Sequence, residues 1–150
     1  MAFSVHAIAG LKYDHYHRGV VFLRCDSNPQ VNAGAIFNAL NQNDQNRMRD
    51  KFEWWMRGNE SPSQWFHGFD DQGREYCFVF KRKKGHTRYR YYGFLINPQP
   101  NTDPGYRLCV LTNHAQKNVE ATDPSETNFA DALRFNVDVI AAVRKSFPDK

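Results

Sequence analysis

Cysteine is scarce: Cys25, Cys77 and Cys109 are the three in a chain of 150 residues. Their odd number and wide spacing, with no Cys-x-x-Cys pair, exclude a disulfide framework and a zinc ribbon. Each sits in an apolar run, so all three are expected to be reduced core residues. Long hydrophobic runs are missing too. No stretch approaches the roughly 20 apolar residues that a membrane helix needs. The N-terminus lacks the basic n-region and long apolar h-region of a signal peptide. No membrane partner and a cytoplasmic location are therefore expected. No P-loop, Gly-x-Gly-x-x-Gly or Ser/His/Asp signature is present. His15 and His17 are spaced i, i+2 but have no third ligand near them in sequence, so no metal is expected. Internal repeats and low-complexity segments are also absent.

Aromatic residues, by contrast, make up 15% of the chain and hydrophobic residues 41%. That excludes a disordered chain and makes Phe, Tyr and Trp the main suppliers of the core. The length suits one domain with a sizeable core. The formal charge is +4, and its distribution matters more than its size. Six Lys or Arg and no Asp or Glu fall between Tyr76 and Thr102, which leaves 14 basic against 16 acidic residues elsewhere, a balance of −2. Concentrated positive charge is what a polyanion-binding face requires.

The pattern of residues gives an element order. Val20–Cys25 is β-branched and apolar and reads as a strand. Ala35–Arg57 reads as a helical hairpin. Phe37 and Leu40 mark one apolar face, and Met48, Phe52 and Trp55 another. The polar stretch Asn41–Asn46 is where the bend is expected, and Gly58 suits the position after the helix. Trp65–Phe69 is a short candidate strand, followed by a turn at Asp70–Gly73. Glu75–Lys81, Thr87–Asn97 and Tyr106–Asn113 read as strands of an antiparallel meander. Arg82–His86 is expected as the turn between the first two. Thr122–Phe147 reads as one helix, with Asp123 as N-cap, Pro124 at the first position and Glu126 at capping-box spacing. Its apolar stripe is Phe129, Leu133, Val137, Ile140 and Phe147. The class is therefore α+β, with the helices on one face of the sheet and the other face partly open.

The densest candidate site is Lys81, Arg82, Lys83, Lys84, Arg88 and Arg90, interleaved with Tyr89, Tyr91 and Tyr92. Cations meet phosphates and flat rings stack on unpaired bases, so these are the ingredients of single-stranded RNA or DNA binding. On a strand Arg88, Arg90 and Tyr92 share a face, while Tyr89 and Tyr91 turn to the core. A solvated hairpin tip is the plainer reading of the same charges. His86 and His114 lie at strand ends and could move a proton to or from a ribose hydroxyl. Lys117 follows three residues after His114. His67, among aromatics, reads as a packed residue. Of Trp54 and Trp55, only one can face the core.

From Arg88 to Ala130 the pattern resembles the RelE/HigB-type toxins of bacterial toxin–antitoxin systems. The matching pieces are the strand motif Tyr89-Arg90-Tyr91-Tyr92-Gly93-Phe94, the apolar strand Leu108–Leu111, and the Lys-containing turn His114-Ala115-Gln116-Lys117-Asn118. A helix with Pro124, Glu126 and Ala130 completes the match. The turn departs from the family in having Ala115 and Gln116 where an aromatic and a lysine are usual. The resemblance implies a single RelE/ParE-like domain over 1–150, with 1–19 an N-terminal extension, and a twisted antiparallel sheet. It implies metal-independent and cofactor-free cleavage of mRNA, often on the ribosome, and a small antitoxin protein as partner. Arg90 matches the motif arginine and Lys117 the turn lysine, with His86 or His114 as acid or base. Lys81, Arg82, Lys83, Lys84, Arg88 and Tyr92 would contact RNA. The same residues also suit a non-catalytic nucleic-acid-binding or antitoxin-binding module.

Overall fold

The computed structural model describes residues 2–13, 16–69, 74–117 and 124–149, with Lys117 described by its backbone alone. The expectations for His15, for the turn at Asp70–Gly73, for Asp123 and for Asn118 lie outside these residues. In chain order the elements are β1 (Phe3–Ala7), β2 (Arg18–Cys25), α1 (Ala33–Ala39), α2 (Gln42–Met56), β3 (Phe66–Phe69), β4 (Arg74–Lys84), β5 (Thr87–Ile96), β6 (Arg107–Lys117), α3 (Pro124–Arg134) and α4 (Val137–Ser146). The class is α+β.

The strands form one sheet in the order β1-β2-β6-β5-β4-β3. The meander β3 to β6 is antiparallel throughout. Its last strand returns beside β2, and that pair is parallel, with Val20 opposite Cys109. The sheet is thus mixed rather than wholly antiparallel. A pair of helices between β2 and the meander makes the parallel return feasible, since parallel strands need a long crossover. Part of the N-terminal segment is a strand of the same sheet, with Phe3 opposite Cys25.

Helices cover both faces, not one. Phe37, Met48, Phe52 and Trp55 of α1 and α2 pack with Phe22, Phe78, Phe80, Tyr91 and Leu111 on the first face. Leu133, Val139 and Val143 of α3 and α4 pack with Val21, Leu23, Phe94 and Val110 on the second, and Ala130 packs there with Cys77, Val79 and Tyr92. This two-sided burial accounts for strands that read as continuous apolar runs such as Val20–Leu23. All three cysteines are buried and free, as expected.

Two helical boundaries differ from expectation. Asn41 is the N-cap of α2, its Oδ1 accepting from Asp44 N, so the polar stretch after it is the first turn of a helix and the bend lies at Leu40–Asn41. The C-terminal helix is two helices. Asn136 Oδ1 accepts from the backbone N–H groups of Asp138 and Val139 and starts α4 afresh. The new phase buries Val139 and Val143 and leaves Val137 77% exposed, which breaks the expected stripe. Gly58 follows α2 at φ +85°, as its place after the helix requires.

Candidate anion-binding interface

Strand β4 is longer than its outer neighbour. Pairing with β3 ends at Phe66 opposite Phe80, and one more backbone bond runs from Lys81 N–H to Trp65 O at 2.7 Å. Strand β4 therefore continues past Lys81 through Arg82–Lys84, which were expected in the turn, and only Gly85 and His86 make the reversal to β5. Gly85 takes φ +62° there, a conformation that favours glycine.

Alternation along β4 sorts its four cations by face. Lys81 and Lys83 fall on the α3 side, where the register sets them opposite Arg90 and Arg88. Four cations thus make a two-by-two array on one face. Like charges directly opposite disfavour strand pairing by roughly 0.2–1 kcal/mol per pair. Arg82 and Lys84 fall on the α2 side. There Asp44, in the first turn of α2, accepts from Arg82 Nη1 at 2.6 Å and from Lys84 Nζ at 3.0 Å. Those two hydrogen bonds hold the Asp44 carboxyl below its ordinary value of 3.8.

A groove of about 540 Å³ opens between α2 and β4, with Trp65 and Gln64 at its end. From α2 it takes Arg47, Asp50, Lys51 and Trp54. Lys51 Nζ lies 4.3 Å from the centre of the Trp65 ring. Burial, with Arg82 and Arg47 nearby, pulls the Lys51 pKa below its usual range, and Asp50 opposes this. A second cleft of about 130 Å³ is lined by Gln64, Lys81, Arg82, Lys83, Arg88 and Arg90. The two share four of these residues and so wrap continuously around β4. Among the described residues eight cationic side chains stand around the strand, with Asp44 and Asp50 beside them.

The structure distributes the expected site residues unevenly. Lys83 and Lys84 are exposed, and Lys81, Arg82 and Arg88 are half-buried. Arg90 lines the second cleft but is only 1% exposed. Tyr92 shares its side of the sheet, as expected, but is fully buried beside Phe69. The reason is α3, which covers a face expected to be open. Tyr91 is in the core, and Tyr89 packs against it. His86 is exposed in the turn. Lys117 stands opposite Arg88 in the backbone register. His114 lies on the other face, its ring 4.6 Å from that of Tyr91, so the sheet separates it from Arg88 and Arg90. Trp55 is buried and Trp54 is 40% exposed, which settles that pair. His67 is half-buried, its ring 4.8 Å from Phe69.

Burial lowers the His114 pKa from 6.5 to about 4, so its imidazole is neutral at pH 7. A folded value below the unfolded one means that the unfolded chain takes up the proton first. Stability is then lost as pH falls from 6.5 toward 4. At about 1.4 kcal/mol for each tenfold in proton affinity, the loss reaches roughly 3 kcal/mol. Urea denaturation at stepped pH should show this slope in the native chain and a flatter one in His114→Gln.

Asp44, Arg47, Lys51, Trp54 and Trp65 were not singled out by sequence as members of one site. A signal existed: Arg47, Lys51 and Trp54 recur at i, i+4 and i+7, off the Met48–Phe52–Trp55 stripe. The carboxylate of Asp44 also sets a prediction. Asp44→Asn should free Arg82 and Lys84 and tighten binding of a polyanion about threefold to tenfold, measured by fluorescence anisotropy. Because its folded pKa is depressed, Asp44 contributes stability above pH 3.8 that is lost as pH falls through its folded value. The variant should lose that acid-side dependence.

Among the described residues no group of three His, Cys, Asp or Glu is placed to hold a metal ion, and no helix is long and apolar enough to cross a membrane. No protein-family model, curated protein or solved structure matches the chain.

Proposed function

We propose that this protein binds RNA through the basic surface wrapped around β4. The observation that carries the reading is the clustering of eight cations on α2, β4 and β5 around two continuous clefts. Phosphate contacts supply most of the affinity in such an interface and do not depend on base sequence. The cations sit on a strand pair and a helix, elements that hold them in fixed positions. The test is a gel-shift titration with a labelled single-stranded RNA at low salt, followed by a denaturing gel. Retained RNA, with retention lost in Lys83→Glu, is the expected result. A protein that retains no RNA at low salt would remove the reading.

Cleavage by attack of a 2′-hydroxyl on the neighbouring phosphate is a second reading. One register favours it: Lys117 stands opposite Arg88, two residues along β6 from Ala115, which is opposite Arg90. That places three positions of cationic residues at one end of the β5–β6 pair, where phosphate charge in the transition state would need them. The order of a strand, a helical pair and a returning meander supports the toxin-like resemblance behind this reading. The acid or base would have to be His86 or another group on the arginine side, since His114 faces the other way. On the same denaturing gel, fragments ending in a 2′,3′-cyclic phosphate support cleavage, and intact RNA leaves binding alone.

A further inference from the structure

Trp54 lies outside the core, yet its indole is anchored by two contacts. It is 40% exposed, while its neighbour Trp55 is 2% exposed. Its Nε1–H donates to Glu60 O at 3.1 Å, and its ring meets Trp65 edge-on at 6.2 Å. The indole is therefore a fixed flat surface in the groove wall. On α2 it continues the row of Arg47 and Lys51, one turn apart, and the opposite wall carries the cations of β4. A flat ring in line with cations suits a single nucleic-acid strand, whose phosphates lie along the cations while an unpaired base stacks on the ring. A duplex keeps its bases stacked inside and cannot offer one.

We infer that the groove between α2 and β4 binds single-stranded nucleic acid with an unpaired base stacked on Trp54, and so prefers single strands to duplexes. The inference rests on the proposed binding of RNA by the β4 surface and adds the base-stacking subsite and the strand preference. Bringing a phosphate beside Lys51 relieves its crowding by Arg82 and Arg47.

The test compares the wild type, Trp54→Ala, Trp54→Phe and the double variant Lys83→Glu/Arg88→Glu. Each is titrated with a 12-nucleotide RNA and with the duplex of the same sequence. The expected result is an affinity for the single strand about tenfold weaker in Trp54→Ala, largely restored in Trp54→Phe, with duplex affinity unchanged. Tryptophan fluorescence should be quenched by the single strand in the wild type and much less so in Trp54→Phe. Exposure of the residue keeps both variants folded, which circular dichroism checks. If Trp54→Ala binds the single strand as the wild type does while the charge-reversed double variant loses it, the basic surface stands and the stacking site is overturned. If the wild type binds neither strand form, both fall together. Polyglutamate that binds the groove in preference to RNA would assign it to acidic proteins and overturn the inference.

Discussion

Gly93→Ala should lower stability by about 3 kcal/mol or more and leave much of the protein unfolded. Gly93 lies inside β5, where β6 carries one extra residue. Tyr92 is opposite Asn113 and Gly93 is opposite Leu111, so Thr112 is bulged out between them. The bulge brings β6 so close that a Cβ on Gly93 would strike the Val110 carbonyl oxygen and lie 2.8 Å from Phe78 Cζ. The first obstacle is backbone, which cannot rotate away. The second is a fully buried ring of the main core. Gly85→Ala is the control. It meets nothing within 4 Å and carries only the strain of φ +62°, about 1 kcal/mol. Chemical denaturation followed by circular dichroism compares the two. A Gly93→Ala protein as stable as Gly85→Ala would mean that the two strands are not in this close contact.

The second large effect is on binding. Reversing Lys83 and Arg88 together should weaken RNA affinity about 100-fold at low salt while leaving the fold intact. The two stand opposite each other on the α3 side of the hairpin, and Lys83 is exposed and Arg88 half-buried. Each reversal replaces an attraction with a repulsion worth about 1 kcal/mol or more near the surface, and each 1.4 kcal/mol is a tenfold change. Reversing Arg144 and Lys145, at the end of α4 and far from β4 in the sequence, should leave affinity nearly unchanged. Anisotropy titrations on both double variants separate a local surface from a general effect of net charge. Arg90 is unsuited to this comparison, because truncating a buried arginine disturbs packing as well as charge.

Strand content was legible where apolar residues run in short bursts between turn residues. Val20–Cys25, Glu75–Lys81, Thr87–Asn97 and Tyr106–Asn113 all lie within or overlap observed strands. The α+β class followed from that order. The pleat was legible as well: Arg88, Arg90 and Tyr92 do share a side of β5. What periodicity could not supply was the cover on that side. The expected single C-terminal helix is two, and the restart at Asn136 lets α3 lie over β4 and β5 and α4 over β1. Asn136 with Asp138 two residues on is a helix-start signal, hidden because no glycine or proline interrupts the helix. The hairpin was expected to turn at Arg82–His86, from three adjacent cations onward. The strand instead runs through them to Gly85, with Arg82 and Lys84 tied to Asp44 of α2 and the ladder to β5 continuing to Lys84 opposite Thr87. The groove was least legible of all. It depends on α2 lying along β4, and its link between Asp44 and Arg82 spans 38 residues of sequence, a distance over which local pattern carries no information.

Salt dependence tests the central claim most directly. If the β4 surface binds RNA through its phosphates, affinity must fall linearly with salt on a log–log plot. Contact with about four phosphates gives a slope near −3 for a single strand. Measured between about 50 and 300 mM potassium chloride, the wild type should follow that slope, and Lys83→Glu/Arg88→Glu should bind more weakly with a slope shallower by more than 1. Binding that does not change with salt, or a double variant with the wild-type slope and affinity, would contradict the account.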